Sequence, residues 1–146
     1  MGVFVAEVRP RWSDMDAFGH VNHANTVTLL EEARIDLLFV EASRHGAAGI
    51  AKGVVVARLV VDYHAPLLAT GTTVRVEMSV REMRNVSFTL DYTVHSGLAQ
   101  DDPVVATAET MLVPYDLDLG RPRRLSEAER DFLAAWRSAG FGGNGA

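Results

Sequence analysis

The chain has 146 residues, 14 Lys plus Arg against 19 Asp plus Glu, and a formal net charge of −5. That length supports one domain with a real core, and 48% hydrophobic with 23% charged residues excludes wholesale disorder. The negative balance argues against sequence-independent nucleic-acid binding, which needs a basic face to displace counterions. No apolar run approaches the roughly 18 residues of a membrane span, and MGVFVAEVRPRW lacks the pattern of a signal peptide. There is no cysteine, so disulfides, thiolate metal sites and a thiol nucleophile are excluded. A cytoplasmic, single-domain protein is expected over residues 1–139. Residues 140–146, rich in glycine, are expected to form a flexible tail.

In chain order, Val3 to Trp12 reads as a strand, with Pro10 near an edge or end because it cannot donate to a ladder. The segment SDMDAFGHVNHAN is rich in turn and cap residues. It leads into a long helix on which Val27, Leu30, Ala33, Leu37 and Val40 recur at three- and four-residue steps, forming one apolar stripe. Arg44, His45 and Gly46 make a reasonable C-terminal stop. The remainder alternates at period two. GVVVARLVVDY sets Ala57, Leu59, Val61 and Tyr63 on one side. TTVRVEMSVR sets Val74, Val76, Met78 and Val80 on one side, and VSFTLDYTVH does the same with Val86, Phe88, Leu90, Tyr92 and Val94. VVATAETMLV is the last strand. Ser126 with Glu129 forms a capping-box pattern before a short helix carrying Phe132, Leu133 and Trp136. One strand, one long helix and four more strands predict an α+β domain whose five-stranded antiparallel sheet curls around the helix. Exposed strand edges would then be paired in a dimer.

Chemistry concentrates just before the long helix, where Asp14, Asp16, His20, Asn22, His23 and Asn25 crowd together. A helix N-terminus offers unpaired N–H groups and partial positive charge, which can hold a developing oxyanion. A nearby carboxylate can activate water or attack directly. The same residue types are also ordinary caps and turn formers, and Asp14 fits that role best. A metal site from Asp14, Asp16, His20 and His23 matches no specific ligand pattern.

The run V-R-P-R-W-S-D-M-D-A-F-G-H-V-N-H-A-N followed by L-L-E-E-A-R, Val8 to Arg34, resembles the signature of hotdog-fold acyl-CoA thioesterases of the 4-hydroxybenzoyl-CoA thioesterase type. VVDYHAPLLATG and VPYDLDLGRPRRLSEAER look like the later segments of that family. The resemblance covers nearly the whole chain and implies a hotdog fold. It implies that Asp16 is the catalytic carboxylate, acting as general base or as nucleophile through a mixed anhydride. Backbone amides of Gly19, His20, Val21 and Asn22 would surround the thioester carbonyl. His23, Ala24 and Asn25 match an H-A-N stretch of a bacterial branch whose His lies in the site, which makes His23 a second catalytic candidate and Asn25 a binding one. The helix departs from relatives in carrying Thr26 and Leu29 where an aromatic residue is common, which touches pocket shape. Asp16 is not followed by Asn-Pro as in the hydratases of this fold.

Arg81 and Arg84 flank a turn. They are candidates for coenzyme A phosphates, which suit guanidinium forks, or else ordinary solubilising charge, the reading favoured here. Arg58 and His64 belong either to a pocket mouth or to the solvent face. Trp12 and Phe18 flank the Asp pair and either shape an acyl pocket or pack in a core or interface. Phe88 and Tyr92 read as core. Ser13 and Ser43 lack a His–Asp relay. The expected protein is an acyl-CoA or acyl-carrier-protein thioesterase without metal or cofactor, forming a homodimer and, by resemblance, a dimer of dimers. The alternatives are a non-catalytic acyl-CoA binding module on the same fold and an enoyl thioester hydratase or dehydratase.

Overall fold

The computed structural model describes residues 2–68 and 73–138. The expected tail, 140–146, lies outside the described residues, as do residues 69–72 of the link after the second strand. Strand β1 spans Phe4–Val8, β2 Val54–Tyr63, β3 Val74–Met83, β4 Phe88–His95 and β5 Val104–Asp116. They pair antiparallel in the order β1-β3-β4-β5-β2, and a two-residue strand β6, Arg121–Pro122, adds to β5. The first strand is therefore shorter than expected. It ends before Pro10, and Trp12–Asp14 forms a single 3-10 turn.

The long helix is unbroken from His23 to Arg44 but changes pitch. Helix α1, His23–Ile35, passes into a π-helical stretch, Asp36–Glu41, and then α2, Ala42–Arg44. Gly46 follows at φ +78°, in the left-handed region that suits a helix stop. Leu30, Ala33 and Leu37 of the expected stripe are buried, Val27 is half-buried and Val40 is exposed. The wider turn explains the difference. A π-helical stretch takes an extra residue per turn, so the buried face runs on through Leu38 and Ala42 rather than through Val40.

The sheet supplies the opposite wall. Val74, Val76, Met78 and Val80 of β3 and Phe88, Leu90, Tyr92 and Val94 of β4 are all buried in one core with Leu29, Leu30, Ala33, Leu37 and Leu38. This is the hotdog arrangement of a curled antiparallel sheet around a long helix. Val86 falls outside β4 and is exposed. Strand β2 behaves differently. Its pairing with β5 skips Ala57, a bulge, and Leu59 and Tyr63 are exposed, while Val54 and Val61 pack against the core. As the last strand in the order it has a single neighbour, so its apolar residues have no second surface within the described chain.

The C-terminal helix α3, Glu127–Ala135, starts at the expected capping box: Ser126 accepts from the Glu129 N–H and Glu129 from the Ser126 N–H. Phe132 and Leu133 are buried, and Trp136 meets Phe4 edge to face. Among the described residues no helix is long and apolar enough to cross a membrane.

Candidate active site

The turn before α1 is held by backbone hydrogen bonds together with its own short polar side chains. Asp14 is buried and accepts from the Arg11 N–H at 2.7 Å, and its carbonyl receives the Asn22 N–H at 2.8 Å and the Asn25 amide at 3.0 Å. Asp14 is thus the brace expected of it, and Asn25 serves the same bracing. Gly19 adopts φ +77°, a left-handed conformation that disfavours other residues, and this lets the chain reverse between Met15 and Val21. Asn22 caps the helix through the Ala24 N–H at 2.9 Å.

Asp16 is half-buried inside this turn. Its Oδ1 accepts the Phe18 N–H at 2.9 Å and the His20 N–H at 3.3 Å. Its Oδ2 accepts no hydrogen bond among the described residues, which leaves one oxygen anchored and one available. Asp16, His20, Val21 and His23 line a cavity of about 410 Å³ with Thr26, Tyr63, His64, Ala65, Pro66, Leu67, Val94, Val105 and Ala106. Its polar lining comes from the segment that enters α1 and its first turn, Asp16, His20, His23 and Thr26, and from the end of β2, Tyr63 and His64; the other lining residues are aliphatic.

The amides expected around a thioester carbonyl have partners within the protein. The Gly19 N–H donates to the Asp16 carbonyl at 3.2 Å, and the His20 N–H to the Asp16 carboxylate. The Val21 N–H donates to the Leu67 carbonyl at 2.6 Å and the Asn22 N–H to the Asp14 carbonyl. All four amides are spent on holding the turn. The next one, the His23 N–H, has no partner among the described residues and belongs to the first residue of α1, where the helix dipole adds positive character. Gly19, Asn22 and Asn25 do not line the cavity.

Two cavity residues come from the end of β2. Tyr63 donates its hydroxyl to the His23 carbonyl at 2.5 Å, and its ring meets the His23 imidazole edge to face at 6.4 Å. Burial pushes the Tyr63 hydroxyl pKa up from its ordinary value of 10.0. His64 lies on the pocket side, with Nε2 3.0 Å from the Thr107 hydroxyl. Nothing in the sequence marks Tyr63 beyond its place at a strand end before His-Ala-Pro. Arg58 does not line the cavity and pairs with Glu109 at 3.0 Å.

Trp12 and Phe18 are 86% and 83% exposed, so neither packs in the core or walls the cavity. Arg81 sits on the face of the sheet away from the helix, bound to Asp91 at 2.7 Å and Glu109 at 3.3 Å. Arg84 meets Glu82 at 3.4 Å. A guanidinium already paired with two carboxylates has little left for a phosphate, and neither arginine borders the Asp16 cavity. Among the described residues no three His, Asp or Glu side chains are grouped to hold a metal ion.

A carboxylate with one oxygen unbonded among the described residues, on a cavity shared with the first residue of a helix, suits attack on an activated carbonyl. Comparison with known proteins gives this chemistry a family. The thioesterase-like superfamily model matches residues 10–136.

The chain belongs to the thioesterase-like superfamily. It is a thioester hydrolase. A Thermus thermophilus thioesterase solved with coenzyme A and Zn is similar at 29% identity and a TM-score of 0.72, covering 90% of this chain and 92% of that one. A predicted thioesterase from Bacillus stearothermophilus superposes at a TM-score of 0.77, 24% identity and 92% and 96% coverage. A 1,4-dihydroxy-2-naphthoyl-CoA thioesterase from Synechocystis does so at 0.73, 20% identity and 91% and 96% coverage. The last two likenesses concern the fold. A search of curated proteins returns no match. The Asp16 cavity brings a carboxylate and the first residue of α1 to one wall.

Proposed function

We propose that this thioesterase hydrolyses acyl thioesters of coenzyme A or acyl carrier protein in the Asp16 cavity. The observation that carries the reading is the Asp16 carboxylate on the cavity that His23 also lines, fixed through Oδ1 by two backbone N–H groups while Oδ2 accepts no hydrogen bond among the described residues. The carboxylate is oriented before substrate arrives, and little reorganisation is left for the reaction.

As a base, Oδ2 takes a proton from water as the water oxygen bonds to the thioester carbon. As a nucleophile, Oδ2 itself bonds to that carbon and gives a mixed anhydride, which water then opens. In both routes the carbonyl oxygen gains negative charge beside the His23 N–H. The C–S bond breaks as the intermediate collapses, and the thiolate leaves and is protonated. The products are a carboxylic acid and a free thiol. The His23 imidazole sits where it can orient the substrate or pass that proton. The reading assigns no metal or cofactor, because a thioester is already an activated acyl group and a carboxylate with an amide donor covers the charge changes. The aliphatic lining of Val21, Ala65, Leu67, Val94, Val105 and Ala106 suits the acyl group. The coenzyme A complex of the Thermus thermophilus relative supports the choice of thiol.

The assembly proposed is a dimer joined through β2. Among the described residues that strand has no neighbour on one edge and exposes Val55, Val56, Leu59 and Tyr63, and an unprotected apolar edge is a template for a second strand. Antiparallel pairing of two copies would bury those residues and bring Tyr63 and its cavity to the interface, and two such dimers would make the tetramer.

The experiment is turnover of acetyl-, butanoyl-, hexanoyl- and benzoyl-CoA, with free thiol detected. Saturable release of thiol from at least one is expected. Binding without release from any would favour a non-catalytic acyl-CoA module instead.

A further inference from the structure

Among the described residues, Tyr63 is the one side chain outside the pre-helix turn that hydrogen-bonds the first residue of α1. It approaches from β2, 40 residues away in sequence. It makes two contacts with the same residue: its hydroxyl reaches the His23 carbonyl, and its ring stands at 83° to the imidazole. His23 needs such support. Asn22 caps the Ala24 N–H, and the Asn22 carbonyl takes the N–H groups of Asn25 and Thr26. The His23 N–H is left with no bond to steady it, and its imidazole has no hydrogen-bond partner among the described residues. A helix frays from its first turn unless something outside holds it.

We infer that Tyr63 is a positioning residue for thioester hydrolysis. It clamps the first turn of α1 so that the His23 amide and imidazole keep their places beside Asp16. The hydroxyl fixes the His23 carbonyl, and so the tilt of the turn. The ring restricts the imidazole. Tyr63 acts through His23 rather than on the reacting atoms, which separates its role from that of Asp16. The inference rests on the reading of the Asp16 cavity as the hydrolytic site.

The test compares wild type, Tyr63→Phe and Asp16→Asn on the best of the four acyl-CoA probes, together with amide hydrogen exchange. Tyr63→Phe keeps the ring and removes only the hydroxyl. A lost neutral hydrogen bond predicts kcat lower by about fivefold with KM within about twofold. The first-turn amides of α1 should exchange about fivefold faster while those of β3 and β4 keep their rates. A merely structural role would instead lower the melting temperature and the active fraction and leave kcat per active enzyme intact. Unchanged kcat and unchanged first-turn exchange in Tyr63→Phe, with Asp16→Asn inactive, would overturn the inference and leave the site reading standing. Asp16→Asn matching wild type, or no turnover of any probe by wild type, would remove the site reading and this inference with it. Exchange is read on the unliganded protein, so a folding defect in Tyr63→Phe shows as global loss of protection and counts against the clamp.

Discussion

The Asn22 side chain takes the Ala24 N–H at 2.9 Å, and the His23 N–H beside it is left without a partner among the described residues. The proposed function uses this amide as a donor to the thioester carbonyl. Asn22→Ala should cost about 1 kcal/mol of stability, the usual loss for an N-cap. It should also lower kcat, because the first turn loosens. Thermal unfolding and steady-state kinetics check both together, and Asn22→Asp should restore most of the stability.

The π-helical stretch places Leu37 and Leu38 against the sheet, and Leu37 is fully buried. Leu37→Ala should destabilise by about 2–5 kcal/mol through lost transfer energy and the cavity left behind. Val40→Ala, at a position 44% exposed, should change stability by less than about 1 kcal/mol. Chemical denaturation of the two variants checks the assignment of the buried face.

Glu129 anchors α3 by accepting both the Ser126 N–H and the Arg123 guanidinium, the latter at 2.8 Å. Burial pushes the Glu129 carboxyl up. The hydrogen bonds from Arg123 and Ser126 and the Arg123 charge outweigh it, so the pKa lies below the ordinary 4.5. A carboxyl depressed in the folded state stabilises fully above its unfolded value and loses that contribution as pH falls through the folded one. Glu129→Gln should therefore unfold at a lower temperature than wild type at pH 7, and the gap should narrow once pH drops below 4.5. Melting temperatures across pH 7 to about 3 check the sign.

Leu59 is exposed near the middle of the unpaired β2 edge. Leu59→Asp would set two like charges close together across a β2–β2 pairing, which is destabilising. Sedimentation should show wild-type dimers or larger assemblies at micromolar concentration and monomers for the variant. Monomeric wild type would count against the proposed assembly.

Much of this was open to reading in the sequence, for local reasons. Strands β3 and β4 alternate cleanly because each presents one face to the helix, so period two survives at Val74, Val76 and Met78 and at Phe88, Leu90 and Tyr92. The capping box at Ser126 and the brace at Asp14 are short-range and equally visible. Strand β2 reads poorly because Val55, Val56, Leu59 and Tyr63 stay exposed on the last strand of the sheet, so no buried face among the described residues imposes period two on them. The helix stripe slips at Val40 because a 3.6-residue period assumes a pitch that Asp36–Glu41 abandons. At the site, Asp16, His20 and His23 meet on one cavity. The amides of Gly19, His20, Val21 and Asn22 are spent on partners that include Leu67, far along the chain, which no spacing rule announces. Tyr63 is hidden for the same reason, since its partner lies across the fold.

The most direct measurement is the hydrolysis rate of the best acyl-CoA probe by Asp16→Asn beside wild type, with melting temperatures confirming that both fold. The amide side chain can still accept the Phe18 and His20 N–H groups through its oxygen, but it can neither take water's proton nor attack the thioester. A fall in kcat of at least about a hundredfold is predicted, in line with the loss of a positioned base. A folded Asp16→Asn protein with undiminished kcat would contradict the account.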